Sequence, residues 1–365
     1  MARKALLGWL IDTKIQHAMK MQNNTSKYHF RNLVFEGGGV KGIAYVGALE
    51  VLDQEGILKD IKRVAGTSAG AMVAVLVGLG YSAAELRDIL WNLNFQNFLD
   101  DSWGYIRDTK RFITDYGWYK GDFFRKTMAD LIQRKTGNGE ITFGELAKTK
   151  KYREIYLVGA NLSTGLSELF SHKTTPQMKV ADAARISMSI PLFFASVKGG
   201  KKKDHIYVDG GLLENYPIKT FDQVNYIANA NSIRRTEYYD TINTKCMQKG
   251  IAKTEYVYNK ETLGFRLDSS DEISMYLGQG SAEVKEIKNF LGYTKALVTT
   301  LIDFQNNVHL HSDDWQRTIY IDTLGVGSVD FNISDEKKSD LLNSGKQYTE
   351  SYLEWYNNDE EKANK

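Results

Sequence analysis

Short apolar runs ending in glycine-rich turns alternate with stretches whose apolar residues return every third or fourth position. The first run, Leu33-Val34-Phe35, reads as a strand and enters Glu36-Gly37-Gly38-Gly39-Val40-Lys41-Gly42 directly. Over residues 43–52, Ala44, Val46, Ala48, Leu49 and Leu52 recur at helical spacing, and Gly56 closes that helix. A second strand over 61–65 leads into Gly66-Thr67-Ser68-Ala69-Gly70, and the small, apolar residues that follow to Leu79 suit a buried helix. Two glycine turns of this kind, each between a strand and a helix, lie side by side in a parallel sheet.

The pattern predicts helices over 83–93, 123–132 and 146–148, and a strand over 154–160 centred on Tyr156-Leu157-Val158. A helix over 180–190 stops at Pro191. Residues 192–197 and 205–208 read as a hairpin closed by Gly199-Gly200 and Lys201-Lys202-Lys203, its second strand ending in Asp209-Gly210-Gly211. The lysines form a solvated loop or touch anionic head groups. A strand is expected over 224–228. From 231 to 271 the chain is polar and reads as loops, with some sheet near Tyr256-Val257-Tyr258. Residues 281–304 read as mostly helical, and 317–321 as a late strand. A final helix over 335–356 puts Leu341, Tyr348, Tyr352 and Trp355 on one face, before a charged, frayed end.

Two stretches stand apart. Residues 3–22 read as an amphipathic helix with Leu7, Ile11, Ile15 and Ala18 in one stripe, followed by a polar linker. It docks on its own domain or touches a membrane or partner. Residues 91–125 are rich in aromatic side chains, among them Trp91, Phe95, Trp103, Phe112 and Trp118, as a lid, an acyl-chain pocket or an ordinarily packed insert would be. The expected division is an N-terminal helix and linker over 1–30, a catalytic domain over 31–330, and a C-terminal helix with tail over 331–365.

Composition narrows the class. With 365 residues, 42% hydrophobic and 25% charged, the chain suits one large globular domain with insertions. A net charge of +2 is too small to imply nucleic acid as a partner. The single cysteine, Cys246, excludes an intramolecular disulfide and fits the cytoplasm. No apolar run approaches a membrane span. The short apolar start after Arg3 and Lys4 has no small-residue cleavage site behind it, so the mature chain is expected to begin near Met1. No side chains show metal-ligand spacing, and no cofactor is called for.

The chemistry gathers at the glycine turns. A G-x-S-x-G sequence between strand and helix turns sharply and lifts the serine hydroxyl to the apex. Ser68 then sits at a helix N-terminus, where free N–H groups and the helix dipole favour developing negative charge. The triple glycine sets a second row of bare N–H groups nearby, as an acyl-transfer enzyme needs for its oxyanion. Asp209, at a strand end before two glycines, can stand uncovered in a cleft.

Together, Gly37-Gly38-Gly39-Val40-Lys41-Gly42, Gly66-Thr67-Ser68-Ala69-Gly70 and Asp209-Gly210-Gly211 resemble the patatin-like phospholipase family, in its order and with similar separation. Ile190-Pro191 and Asn215-Tyr216-Pro217 look like the family as well. The resemblance is close over about 32–228. It implies a three-layer α/β/α sandwich with a mostly parallel sheet and a Ser–Asp dyad. Ser68 would be the nucleophile, Asp209 the general base, and Gly37, Gly38 and Gly39 the oxyanion hole. Lys41, Gly42, Gly66, Gly70, Gly210 and Gly211 would support the turns. Lys41 stands where the family usually has arginine, whose forked contacts lysine cannot make. Glu36 stands where many members have aspartate. The implied activity is a serine lipid acyl hydrolase of phospholipase A or lysophospholipase type, touching membrane surfaces transiently and acting on phospholipid or another glycerolipid.

Other readings of these residues stay open. Ser68, Asp209 and then His309 or His311 follow the chain order of an α/β-hydrolase triad, although the serine turn comes early for that fold. Gly37-x-Gly39-x-x-Gly42 after a strand matches a dinucleotide fingerprint, but the next strand ends in Gly66-Thr67-Ser68 where an acidic residue is needed. A non-catalytic lipid-binding protein on a hydrolase fold is the third.

Overall fold

The computed structural model describes residues 27–93, 116–199, 204–250, 254–269 and 313–359, with scattered positions between 287 and 301. The expected helix over 3–22, most of the aromatic stretch, Lys201-Lys202-Lys203, most of 281–304, His309, His311 and the charged tail lie outside the described residues.

Two strand–turn–helix units come first: β1 (Asn32–Phe35) with α1 (Ala44–Gln54), and β2 (Arg63–Gly66) with α2 (Ala69–Gly78). In α3 (Ala83–Asn92) the side chains of Ser82 and Glu85 each accept from the other's backbone N–H, which fixes the helix start. Next come β3 (Gly117–Tyr119), α4 (Asp122–Thr136), α5 (Phe143–Lys148), β4 (Glu154–Asn161), β5 (Leu166–Phe170) and α6 (Val180–Ser187). Short strands β6 (Leu192–Phe194), β7 (Val197–Lys198) and β8 (Ile206–Asp209) follow. The last third holds β9 (Ile233–Arg234), α7 (Glu237–Gln248), β10 (Tyr258–Asn259), β11 (Thr262–Asp268), β12 (Thr318–Asp322) and α8 (Asp335–Asn358).

The central sheet has 8 strands in the order β12-β11-β1-β2-β4-β8-β7, with β5 beside β4. Its run from β12 to β4 is parallel, while β5 and β8 pair antiparallel with β4. Alternation along the strands divides the core. Leu33, Phe35, Val64, Ile155 and Leu157 face a large core shared with α1, α2, α3, α4, α6 and α8. Val34, Ala65 and Tyr156 face a smaller one completed by Tyr216, Ile218, Phe221 and Tyr226. The expected α/β/α sandwich is present, with a thick helical layer on one face and a thin layer of 3₁₀ turns on the other. No described helix is long and apolar enough to cross a membrane.

Several elements differ from expectation. Residues 224–228 are not a strand: Val224–Tyr226 is a 3₁₀ turn whose Tyr226 ring packs edge-on against Phe221 and Tyr156. The hairpin over 192–208 is shorter than expected, because only β7 pairs with β8. β6 instead lies parallel to β3, and the Arg185 guanidinium donates to Ala195 O at 3.1 Å just beyond it. α6 ends at Ser187, before Ile190. The polar stretch 231–271 contains α7 and the fully buried strand β11, which sits between β1 and β12. Its charges are internal: Arg266 donates to Asp268 Oδ1 at 2.7 Å with both side chains buried. On α8 the buried face runs through Leu341, Gly345, Thr349, Tyr352 and Tyr356, whereas Tyr348 is exposed. That face meets α1 backbone to backbone, since a Cβ on Gly47 would lie 1.9 Å from Leu342 O and one on Gly345 1.9 Å from Ala44 O.

Candidate active site

The serine turn is built by close approach of β1, β2 and α2. A Cβ at Gly66 would lie 2.2 Å from Gly70 O, and one at Gly70 would lie 2.4 Å from Phe35 O, so both positions require glycine. Between them Ser68 adopts φ 53°, ψ −127°, a conformation that L-residues rarely adopt and that costs about 1–3 kcal/mol. The surroundings hold it there. Thr67 N donates to Phe35 O at 3.3 Å, Thr67 Oγ1 to Glu214 O at 3.0 Å, and Ser68 N to Ser187 Oγ at 3.0 Å. No side chain caps α2, and no described residue accepts from the N–H of Ala69 or Gly70 beside Ser68.

Asp209 ends β8 and is 1% exposed. Its N–H donates to Ser189 O at 2.8 Å, and its Oδ1 accepts from Gly211 N at 2.7 Å. Gly210 packs on β4, where a Cβ would lie 2.5 Å from Val158 O. Burial pushes the Asp209 carboxyl up to about 7, against the pull of the Gly211 N–H and the Ser68 hydroxyl. The hydroxyl is near enough to act on that carboxyl, yet Oδ2 makes no hydrogen bond with the described residues. Ser187, Met188 and Ser189 therefore hold both groups from one segment, with Met188 Sδ 3.8 Å from Ser68 Oγ.

The triple glycine lies alongside. Gly37 N donates to Asn215 O at 3.0 Å, so this N–H is already committed, contrary to its expected place in an oxyanion hole. Its missing side chain matters instead, because a Cβ would lie 2.3 Å from Asn215 Oδ1 and 3.0 Å from Ser68 Cβ. No described residue accepts from the N–H of Gly38 or Gly39. Gly39 has φ +56°, and a Cβ there would lie 1.7 Å from Ser328 O. Val40 N donates to that same carbonyl at 3.1 Å.

Beneath the loop, Glu36 ties it to β11. Its Oε2 accepts from Leu267 N at 2.7 Å and its Oε1 from Asn215 Nδ2 at 3.3 Å. Burial raises the Glu36 carboxyl to about 8, opposed by the Arg266 guanidinium. Lys41 is buried and donates to Leu267 O at 3.1 Å, which makes it a support of the loop. Gly42 packs on Ala69, whose Cβ would be 3.2 Å from its own.

An apolar pocket opens beside Ser68, lined by Gly39, Ile43, Ala69, Met72, Leu90, Met188 and Phe331, among others. A wider polar groove beside α6, lined by Lys120, Arg125, Lys179 and Arg185, reaches neither Ser68 nor Asp209. His172 lies elsewhere, 3.8 Å from Glu154, and His205 hydrogen-bonds Asn161. Sequence reasoning missed the positioning roles of Asn215, Ser187 and Glu36. Asn215 carried a signal in its place after the Asp209 turn, and Glu36 in its place before the glycine loop, whereas Ser187 carried none.

Comparison with known proteins identifies the family. The family model for patatin-like phospholipase matches residues 33–222, and the chain belongs to that family. It is 30% identical over 333 residues to the uncharacterised protein YqhO of Bacillus subtilis, covering 88% of this chain and 97% of that one. It is 27% identical over 193 residues to the probable lipid hydrolase 463L of invertebrate iridescent virus 6, covering 52% of this chain and 62% of that protein. It is 26% identical over 207 residues to the cGAMP-activated phospholipase of Escherichia coli, covering 52% of this chain and 54% of that enzyme. Among solved structures, VipD from Legionella pneumophila superposes with a TM-score of 0.53 at 17% identity, over 90% of this chain and 67% of that one, a likeness of fold.

Proposed function

We propose that the protein is a serine lipid acyl hydrolase that cleaves fatty acyl esters of membrane glycerolipids through Ser68 and Asp209. One observation carries this reading: a strained serine at a helix N-terminus, beside a buried carboxylate whose pKa is about 7 and whose Oδ2 has no described partner. An aspartate at its ordinary pKa near 4 is a poor base, and one held near 7 is matched to neutral pH.

Asp209 Oδ2 takes the Ser68 proton as Oγ attacks the ester carbonyl. The N–H groups of Gly38 and Gly39, with those opening α2, receive the oxyanion. The tetrahedral adduct collapses, the acyl–oxygen bond breaks, and the lysolipid leaves with the proton from Asp209. Water, deprotonated by Asp209, then releases the fatty acid and restores Ser68. Transient contact with a lipid surface belongs to the same proposal, since the substrate resides there. Fatty-acid release from mixed phospholipid vesicles tests it. The expected result is release by the wild type and none by a folded Ser68→Ala variant. Equal release by both would overturn it.

The oxyanion assignment has its own consequence. Gly39→Ala forces the loop away from Ser328 O and turns its N–H, so turnover should fall about 10²–10³-fold, the loss typical of one donor. Steady-state kinetics on a variant with native circular dichroism checks this.

A further inference from the structure

The pocket beside Ser68 leaves a free volume of about 20 Å³. That is room for about one water and not for an acyl chain. If the protein hydrolyses fatty esters as proposed above, a wall must give way. Ile43, Met72, Val73, Leu90, Ile190 and Phe194 are buried in the large core and carried by or next to its main elements. Moving any of them disturbs close packing. Phe331 differs. It is partly buried, and it sits in the segment joining β12 to α8, outside any helix or strand. It also lies beyond the 33–222 stretch that carries the rest of the site.

Val326, Val329 and Ile333 of this segment pack against the large core. Thr323 N donates to Asp268 O at 2.9 Å, and Ser328 O accepts from Val40 N at 3.1 Å. The Phe331 ring rests edge-on against Phe193, with centroids 6.2 Å apart. The segment is thus anchored to the glycine loop on one side of Phe331 and to α8, from Asp335, on the other.

We infer that Phe331 is the movable wall of this pocket: it turns aside to admit the fatty acyl chain and sets the chain length the site accepts. Truncating it opens the space of a phenyl ring where a long chain must pass. The rest of the pocket, and the site around Ser68, stay as they are.

Hydrolysis of p-nitrophenyl butanoate and hexadecanoate by the full chain tests this. Phe331→Ala should raise the hexadecanoate-to-butanoate ratio of kcat/KM about tenfold or more, and Phe331→Leu should shift it the same way by less. Comparing the ratio between variants cancels the different aggregation of the two esters. An unchanged ratio in either active variant overturns the inference and leaves the proposed function standing. No hydrolysis of either ester by the wild type overturns the proposed function and this inference with it.

Discussion

Asp209→Asn should lower ester turnover about 10²–10⁴-fold, the usual contribution of a positioned base, without unfolding the protein. The substitution keeps an oxygen to accept from Gly211 N, the bond that now holds Oδ1 at 2.7 Å. It replaces the oxygen near Ser68 with an amide that cannot take a proton. Wild-type kcat/KM should rise with pH through about 7, because only the ionised Asp209 acts as base. Stability should run the other way. Burial raises this carboxyl from its ordinary value near 4, so the folded state binds the proton more tightly than the unfolded chain. The stabilisation is full below about 4 and is lost as pH rises to about 7. At pH 8 the asparagine variant should therefore melt above the wild type while being nearly inactive. Glu36, held up at about 8, titrates later and is untouched by the change, so the two steps can be told apart. Activity above a tenth of wild type, or a lower melting temperature at pH 8, would remove Asp209 from its role.

What the sequence made legible was local. Turns need glycine where backbones approach, and the serine and aspartate turns show that need in a few consecutive residues. β1, β2, α1 and α2 follow from short-range periodicity. β11 did not follow, although it is central to the sheet. Its pattern is broken by Arg266 and Asp268, which read as solvent-facing but are buried with Glu36, just after a strand more than two hundred residues earlier. Ionisable groups that meet across the fold carry no sign in one stretch of chain. Ser187 escaped for a related reason: a single polar residue holding a distant backbone group looks like any surface residue. The displaced strand over 224–228 is the converse, an apolar run that serves the thin outer layer from a turn.

Arg317→Met should destabilise the protein by about 3–5 kcal/mol, the cost of stranding buried charge. Arg317 is fully buried and forks onto Asp222, with Nη1–Oδ1 at 2.6 Å and Nη2–Oδ2 at 2.7 Å. Its Nε donates to Asp314 Oδ1 at 3.0 Å. Tyr239 donates to Asp222 as well, and the Tyr258 ring lies 4.1 Å from the guanidinium carbon. Methionine fills the space and leaves Asp222 buried without its cation and Asp314 with Lys219, whose Nζ lies 3.7 Å from Oδ2. The cost should be largely recovered when Asp222 and Asp314 are also made apolar, because the triad as a whole gains little over well-packed hydrophobic residues. Chemical denaturation of the single and triple variants measures both terms. The network joins the start of β12 to the chain just beyond Asn215, and so braces the strands on which the Glu36 contact depends. Activity of Arg317→Met should fall only as far as the folded fraction falls. A loss of activity in fully folded Arg317→Met would mean that the brace reaches the glycine loop directly, and a stability cost below about 1 kcal/mol would mean that the charges are not desolvated as deeply as their burial implies.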